Sequence, residues 1–408
     1  MDSLDVLTYN DRRNVPGRNQ LVHFPVFSPI PLPVATLLSL RESEPVVESP
    51  QPEQPAATPH WRKVAAALLA ACLTLLLCEI ILNLTEQPTV SIRFEQNVED
   101  IDDLGMERLA DIVEYDDELF WQLVPNTSLP RESSTLAPQE KSPFFGVIAN
   151  GQGLREDHQI PLQKPPAELR VLFLGDSCTF GFGLEHSEGY VDIAEQLLKQ
   201  RLGERPVECI NAGVPGYTLF QGWRYWSTGG QQLQPDLVVV CFGGNDMSSW
   251  DDKTDLQHYQ YFKRRQPPGL LRFSSIARRL WKTFATKESK QNLLAPRVTP
   301  ADFYLLLGKL HDSIVAADSQ MVIVIWPFLR QIEESRDGRN LWQQEMIAFA
   351  EQHAVELVDL VPEFHKLVDE HGSDALYLDL GHATALGNQH IGELIAELLQ
   401  KHVTDTMN

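Results

Sequence analysis

The sequence predicts an α/β fold in which a parallel sheet lies between two layers of helices, a three-layer α/β/α sandwich. From residue 169 onward, short apolar runs such as RVLFLGDS (170–177) and PDLVVVCFGGND (235–246) alternate with longer amphipathic segments. Strands that are apolar on both faces are typical of a parallel sheet that helices cover on both sides. The alternation of the two kinds of segment predicts a helix between each pair of strands.

The elements follow one another in a regular order. Each strand is a short apolar run that ends in turn residues, and each helix is a longer segment with apolar residues at helical spacing. The predicted strands are 170–177, 206–213, 235–246, 321–328 and 354–360. The predicted helices lie near 189–202, 218–229, 301–316, 340–352 and 384–401.

Charge and cysteine content exclude several classes of function. The chain has 408 residues and a net charge of −22. This argues against a general nucleic-acid binder, because neutralising phosphates requires surplus Lys and Arg. The five cysteines are scattered and include no CxxC pair. Such a set is unlike a disulfide framework or a zinc site.

One membrane-spanning helix is predicted over residues 64–84, VAAALLAACLTLLLCEIILNL, in which Glu79 is the only charge. At about 1.5 Å per residue this segment reaches roughly 30 Å, the thickness of a bilayer's hydrocarbon core. A buried core helix fits the segment less well, because the run is long and evenly apolar. A cleaved signal peptide also fits less well, because more than sixty residues precede the segment. Arg62 and Lys63 flank its start and acidic residues follow it. The N-terminus is therefore expected in the cytoplasm and the later residues outside.

The span divides the chain into parts of different composition. Residues 1–62 are rich in proline and are predicted to be a disordered cytoplasmic tail. Residues 63–84 are the transmembrane helix. Residues 85–168 are predicted to be an extracytoplasmic linker whose aromatic and turn-forming segments pack onto the globular domain. That domain is predicted to cover residues 169–402.

A basic insertion, or lid, interrupts this domain at 251–298. Residues 253–297 contain 11 Lys or Arg and two acidic residues, in a protein that is otherwise acidic. Within it, GLLRFSSIARRLWKTF (269–284) has apolar residues near helical spacing with basic residues between them. The segment fits either a surface helix with a solvated basic face or an interfacial helix that meets anionic lipid or an acidic polymer.

Ser177 is the candidate nucleophile. It follows the first predicted strand directly, and the carboxyl ends of the strands are where α/β sheets hold their reactive groups. A serine hydroxyl is a weak nucleophile. It needs a base to take its proton, an acid to orient that base and N–H donors for the oxyanion.

Three other segments at predicted strand ends or loops supply these groups. In YLDLGHATALGNQHIGELI (377–395), His382 can take the serine proton and Asp379 can orient the ring. Gly216, in NAGVPG, can offer a backbone N–H with no side chain in the way. Asn245, in GGND, can offer a side-chain amide.

Together these four segments resemble the SGNH (GDSL-type) hydrolase superfamily. The matching blocks are FLGDS with Ser177, NAGVPG with Gly216, GGND with Asn245, and DLGH with Asp379 and His382. The segments WQLVPN and NGQGLRE, after a single span, are similar to membrane-anchored bacterial members. The resemblance implies a flavodoxin-like sheet and acyl-ester hydrolysis or transfer without metal or cofactor. It also implies an oxyanion hole formed by the N–H groups of Ser177 and Gly216 and the Asn245 amide.

Two residues depart from the family's pattern. Ala383 stands where a proline usually follows the catalytic histidine, and Cys178 stands where many relatives have a larger residue after the nucleophile. Cys178 is expected to point to the face opposite Ser177. Asp176 and Asp246 are expected to hydrogen-bond the loop backbone rather than to act as catalytic acids.

The sequence therefore predicts a membrane-anchored serine esterase that acts through an acyl-serine intermediate. Its expected substrates are O-acyl esters, and O-acetyl esters in particular, of a carbohydrate or envelope polymer. Three alternatives stay open: an O-acyltransferase that uses the same serine, a lipid esterase with the insertion as its lid, and a non-catalytic membrane-tethered binding protein.

Overall fold

A computed structural model describes most of the chain outside its N-terminal region. The described residues are 59–85, 112–129, 146–265, 267–284, 294–334 and 338–407. The chain divides into two compact units, Met1–Val64 and Ala65–Asn408. Of the first unit only residues 59–64 are described, so the disordered tail predicted for 1–62 lies almost wholly outside the described residues. Parts of the predicted linker, at 86–111 and 130–145, lie outside them as well.

In the described part of the chain the strands form two sheets. The strands are β1 (Val113–Asp116), β2 (Phe120–Leu123), β3 (Leu169–Gly175), β4 (Val207–Gly213), β5 (Leu237–Cys241), β6 (Gln320–Ile325) and β7 (Glu356–Asp359). The main sheet has the order β4-β3-β5-β6-β7, and all its neighbouring strands are parallel. Counted within this sheet, the order is 2-1-3-4-5, which is the flavodoxin-like arrangement. The predicted parallel α/β sheet is confirmed.

The helices of the described residues are α1 (His60–Thr85), α2 (Ser177–Phe180), α3 (Tyr190–Leu202), α4 (Leu219–Thr228), α5 (Asp255–Arg265), α6 (Ser275–Phe284), α7 (Pro300–Ala316), α8 (Leu329–Glu334), α9 (Leu341–His353), α10 (Val361–His371), α11 (Ser373–Leu376) and α12 (Ala385–Met407). The described part of the chain also contains three short 3-10 helices, His186–Glu188, Gly230–Leu233 and Gly269–Phe273. Among the described residues, α1 is the one helix long and apolar enough to cross a membrane.

The core lies between the sheet and two groups of helices. One group pairs α3 with α12, and the other packs α7 against both α4 and α9. Every residue of β3 and β5 is buried, as expected for strands covered on both faces. Local sequence sets where the helices begin. Thr299 caps α7 by accepting the Asp302 N–H, and Asn340 forms a capping box with Gln343 at the start of α9.

Several elements differ from the sequence prediction. The strand predicted over 321–328 ends at Ile325, two residues before Pro327, which has no N–H to give to a ladder. The strand predicted over 170–177 ends at Gly175, because Ser177 already begins α2. The strand predicted over 235–246 ends at Cys241. Helices α2, α5, α8, α10 and α11 were not among the predicted elements.

The hairpin of β1 and β2 belongs to the extension before the main sheet. The two strands pair antiparallel, with Val113 opposite Leu123. In the turn, Asp116 Oδ1 accepts the N–H groups of Glu118 and Leu119, both at 2.8 Å. Trp121 in β2 is only 1% exposed. The hairpin is therefore part of the same core as the main sheet.

Candidate active site

The chain turns from β3 into α2 at Asp176 and Ser177. Asp176 caps the short helix, because its Oδ1 accepts the Cys178 N–H at 2.9 Å. Ser177 is the first residue of the helix and is half-buried, whereas Asp176 and Cys178 are buried. This strand-to-helix turn presents the Ser177 hydroxyl at the carboxyl edge of the sheet, where the sequence predicted it.

Asp379 and His382 lie in the loop between α11 and α12. Asp379 Oδ1 accepts the backbone N–H groups of Gly381 at 2.8 Å and His382 at 2.7 Å. Its other oxygen, Oδ2, lies 2.6 Å from His382 Nδ1. Burial by itself raises the pKa of Asp379, but the His382 ring and the two N–H groups outweigh it and hold this pKa below its ordinary value. Asp379 therefore stays ionised and orients the imidazole.

His382 connects Asp379 to the serine. Its Nε2 lies 2.8 Å from Ser177 Oγ. With the Nδ1–H donated to Asp379, Nε2 is the acceptor for the Ser177 hydroxyl. The Phe182 ring stacks on the imidazole, with centroids 4.4 Å apart and planes at 26°, so the ring has little room to turn. The structure thus brings three predicted residues into the arrangement that activates a serine for attack on a carbonyl carbon.

Gly216 and Asn245 follow β4 and β5 at the same edge of the sheet. Among the described residues, neither the Gly216 N–H nor the Ser177 N–H has a hydrogen-bond acceptor in the protein. The Asn245 amide is engaged, since its Nδ2 donates to Asp176 Oδ2 and to Tyr217 O, both at 3.1 Å. An amide nitrogen has two hydrogens. Two backbone N–H groups are therefore open to an oxyanion, whereas Asn245 reaches it only by sharing or exchanging a hydrogen bond.

Two residues that the sequence did not single out hold the loop that carries Gly216. The Trp121 Nε1–H donates to Pro215 O at 3.0 Å. Arg297 Nη1 donates to Gly216 O at 2.5 Å. A trans peptide points its N–H away from its carbonyl, so the bond to Pro215 O directs the Gly216 N–H away from Trp121. The aromatic segment around Trp121 was the sequence signal for one of the two residues, and Arg297 had none beyond its place at the end of the insertion.

Arg297 is 1% exposed, and its charge is balanced. Its Nη2 lies 2.9 Å from Asp255 Oδ2, and its Nε donates to Asp255 Oδ1 at 3.1 Å. Nη2 also donates to Gln221 Oε1 at 2.7 Å, and the guanidinium carbon lies 3.9 Å from the centre of the Trp250 ring. Breaking such a buried pair costs about 3–5 kcal/mol, because one charge is left uncompensated. The Gly216 loop is therefore held by a hydrogen bond from a buried cation whose charge is paired.

The carboxylates of Asp246 and Asp176 hold loops near the site. Asp246 Oδ1 accepts the Leu219 N–H at 2.9 Å and Oδ2 accepts the Gly243 N–H at 3.0 Å. Burial raises the pKa of Asp246 to about 7, against the effect of these two N–H groups. Burial also raises the pKa of Asp176. Asp246 thus ties the loop after β5 to the start of α4.

The structure also locates the two departures from the family's pattern. Ala383 forms an antiparallel bridge with Tyr377, and the Leu378 N–H donates to His382 O at 2.8 Å. Backbone hydrogen bonds therefore restrain this loop although no proline follows His382. Cys178 is buried, and burial raises the pKa of its thiol well above the ordinary value. Such a thiol is not a nucleophile at neutral pH.

A parallel α/β sheet with a serine, an imidazole and a carboxylate in hydrogen-bond contact at its carboxyl edge defines a class of protein, the serine hydrolases. The chain belongs to the GDSL-like lipase/acylhydrolase family, whose model matches residues 173–390. The match begins in β3 and ends in α12, so that it includes all five candidate site residues. The family predicted from the four sequence blocks is confirmed.

Solved structures similar to this chain include three hydrolases. LAE5, an α/β hydrolase enzyme from the metagenome of Lake Arreo, Spain, is 21% identical, with a TM-score of 0.39 over 57% of this chain and 95% of that one. The lipase/acylhydrolase from Enterococcus faecalis is 18% identical, with a TM-score of 0.38 over 57% and 96%. A catalytic mutant of Axe2, an acetylxylan esterase from Geobacillus stearothermophilus, is 17% identical, with a TM-score of 0.39 over 56% and 93%. No curated protein sequence matches this chain.

Proposed function

We propose that the protein is a membrane-anchored serine esterase that hydrolyses O-acyl esters, and O-acetyl esters in particular, of a carbohydrate or envelope polymer. One observation carries the chemistry of this proposal. Hydrogen-bond contacts run from Asp379 Oδ2 to His382 Nδ1 over 2.6 Å, and from His382 Nε2 to Ser177 Oγ over 2.8 Å. Asp379, His382 and Ser177 are the proposed catalytic triad, with Gly216 and Asn245 completing the oxyanion hole.

In the proposed reaction, His382 Nε2 takes the hydroxyl proton as Ser177 Oγ attacks the ester carbonyl carbon. The oxyanion accepts hydrogen bonds from the N–H groups of Ser177 and Gly216 and from the Asn245 amide. The imidazolium then gives its proton to the leaving alcohol oxygen, and the acyl group stays on Ser177. A water molecule, deprotonated by His382, attacks this acyl-serine. The acid is released and the serine is restored.

Two apolar side chains lie near the proposed site. A Cβ atom placed on Gly183 would stand 2.9 Å from Leu378 Cδ1, and one placed on Gly244 would stand 3.1 Å from Phe328 Cζ. Leu378 and Phe328 therefore lie against the loops that follow α2 and β5. The ester series described below measures the length of acyl group that the proposed site accepts.

Helix α1 supports the membrane anchor. It has 26 residues, and none of the residues in its most apolar window is buried. The basic residues Arg62 and Lys63 before the span favour a cytoplasmic N-terminus, with the catalytic domain outside. A tethered site reaches only the volume that its linker allows, in which its effective concentration is high. Tethering therefore favours a substrate fixed near the membrane, such as an envelope polymer, over a freely diffusing ester.

The test uses the full-length protein in detergent with nitrophenyl esters of acetate, butyrate and octanoate, followed by acetate release from an acetylated polysaccharide. Ser177→Ala is compared with Ser187→Ala, a substitution at an exposed serine close by in the chain. We expect acetate to be the best ester, Ser177→Ala to lose at least about 10³-fold in kcat, and Ser187→Ala to behave as the parent protein.

Each other result points to a different reading. Preference for octanoate contradicts the acetyl proposal and favours a lipid esterase. A burst of one equivalent of nitrophenol without turnover favours an acyltransferase that waits for its acceptor. Equal activity of Ser177→Ala and the parent protein rejects the serine mechanism altogether.

A further inference from the structure

We propose that residues 269–284 form a lipid-contacting surface, the interfacial segment, which lies in the headgroup region beside the catalytic domain and binds anionic lipid. The inference rests on the membrane anchoring in the proposed function and adds a second contact with the same bilayer. In the structure the segment is a 3-10 helix, Gly269–Phe273, followed by α6, Ser275–Phe284.

The start of α6 is bonded to the apolar helix α1 through Glu79. The Ser274 hydroxyl donates to Glu79 Oε2 at 2.9 Å, and the Ile276 N–H donates to the same oxygen at 3.2 Å. The Ser275 N–H donates to Oε1, and the Ser275 hydroxyl donates to Asn83 Oδ1 at 2.8 Å. An acidic residue in a membrane-spanning segment is costly unless it has partners. The N-terminus of α6 supplies those partners.

The position of Glu79 along α1 sets the depth of this attachment. Glu79 comes five residues before Leu84, the last residue of the predicted span. At 1.5 Å per residue, this places Glu79 about 7.5 Å inside the end of the span. Amphipathic helices that lie in the membrane interface bury their apolar face about 5–10 Å into the boundary between headgroups and acyl chains. The start of α6 is therefore attached at the depth that an interfacial helix occupies.

The side chains of the interfacial segment fit a lipid surface. Five of its large apolar residues are exposed: Leu270 by 85%, Phe273 by 63%, Leu280 by 56%, Leu271 by 54% and Trp281 by 40%. Ile276 is half-buried. The segment contains four basic residues and no acidic residue. Leucine and aromatic side chains combined with Lys and Arg are the composition of helices that bind anionic lipid headgroups. Because the segment is attached to the predicted span itself, we assign this face to lipid rather than to a protein partner.

The test places a polarity-sensitive fluorophore on Leu280→Cys in the full-length protein, reconstituted in vesicles that carry a headgroup-linked quencher. Cys72 and Cys78 are exposed and are replaced by serine, whereas the other three cysteines are buried. The matched control label is on Leu341→Cys, since Leu341 is 57% exposed and lies in α9 of the catalytic domain. We expect the label at 280 to be quenched at least about threefold more than the label at 341.

Lipid composition tests the charge. Quenching at 280 is measured in phosphatidylcholine alone and in phosphatidylcholine mixed with phosphatidylglycerol. We expect stronger quenching with phosphatidylglycerol, and we expect Arg278→Gln with Arg279→Gln to remove that increase. Equal quenching in both lipids overturns the assignment to anionic lipid. A blue-shifted emission at 280 without lipid quenching shows that protein covers the face and overturns the proposal.

The attachment is tested with Glu79→Ala. We expect it to reduce quenching at 280, whereas Thr74→Ala, which removes only a hydrogen bond within α1, leaves quenching unchanged. Carbonate extraction separates the two proposals. If carbonate releases the protein from vesicles, the membrane anchor of the proposed function fails. If the protein resists carbonate while the label at 280 stays in water, the interfacial segment alone is rejected.

Discussion

Trp121→Phe isolates one hydrogen bond behind the proposed oxyanion hole. The Trp121 Nε1–H donates to Pro215 O at 3.0 Å, and the peptide that carries this carbonyl also carries the Gly216 N–H. Phenylalanine keeps an aromatic ring in a site that is 1% exposed but removes the donor. The substitution therefore frees the Pro215–Gly216 peptide to tilt without removing the Gly216 N–H itself.

The size of the effect follows from what remains in place. A buried carbonyl left without its donor costs about 1–3 kcal/mol of folding stability. Deleting an oxyanion-hole donor outright costs about 10²–10³-fold in kcat. Arg297 still holds Gly216 O in the variant, so the N–H is displaced rather than lost. We therefore expect kcat to fall about tenfold, which corresponds to about 1.4 kcal/mol of transition-state stabilisation. We expect KM to change less than about twofold, because the oxyanion forms only after binding.

The assay measures kcat and KM for nitrophenyl acetate, with active sites titrated by a fluorophosphonate, together with thermal unfolding. The matched control is Trp226→Phe. Trp226 is also fully buried, and its Nε1–H donates to Ser313 Oγ at 2.9 Å, within the α4–α7 contact. We expect both variants to lose stability and only Trp121→Phe to lose kcat. Equal kcat per active site in the two variants would refute the orienting role of Trp121, and a rise in KM alone would move that role to substrate binding.

Two further predictions concern the titration of the triad and the packing of the Ser177 turn. His382 holds the pKa of Asp379 below its ordinary value, so Asp379 keeps its charge over the acid range in which activity is lost. We therefore expect a plot of log kcat/KM against pH to fall with a slope of one as the pH is lowered. A slope of two would show that Asp379 also takes up a proton. The stability that this depressed pKa contributes is present above about pH 4 and lost below it, so the unfolding free energies of the parent protein and Asp379→Asn converge in acid. Gly213→Ala places a Cβ 2.4 Å from Phe180 N and costs about 1–3 kcal/mol. Gly229→Ala, which meets nothing within 4 Å, changes the unfolding free energy by less than about 0.5 kcal/mol.

Most of the main sheet could be predicted from the sequence because β3, β4, β5 and β6 are buried almost throughout. A continuous apolar run identifies such a strand without any knowledge of its neighbours. Helix α10, which was not among the predicted helices, also carries a local signal, with Val361, Phe364 and Leu367 at helical spacing and Pro362 near its start. The strands of the hairpin have four residues each, which is too short for a periodic pattern to appear.

The candidate site was predictable in its residues but not in its hydrogen bonds. Ser177, Asp379 and His382 lie in short sequence blocks whose chemistry is local. The support of the Gly216 loop is not local, because Trp121 and Pro215 are 94 residues apart and Arg297 and Gly216 are 81 apart. No pattern within one segment reports such a contact. The engagement of the Asn245 amide was hidden for the same reason.

The two ends of the insertion that contains the interfacial segment are hydrogen-bonded to each other, next to the proposed oxyanion hole. The Arg297 N–H donates to Ser248 O at 2.8 Å, the Asp255 N–H donates to Arg297 O at 2.7 Å, and the two side chains form a buried ion pair. A segment fixed in this way can shift in its middle while its ends stay in place. Lipid contact at the interfacial segment is therefore expected to determine the orientation of the active site relative to the membrane and its distance from it. Arg297 meanwhile keeps the Gly216 loop in one position. For this reason we expect Glu79→Ala to leave the rate on a soluble nitrophenyl ester unchanged and to affect only substrates that are fixed at the membrane surface.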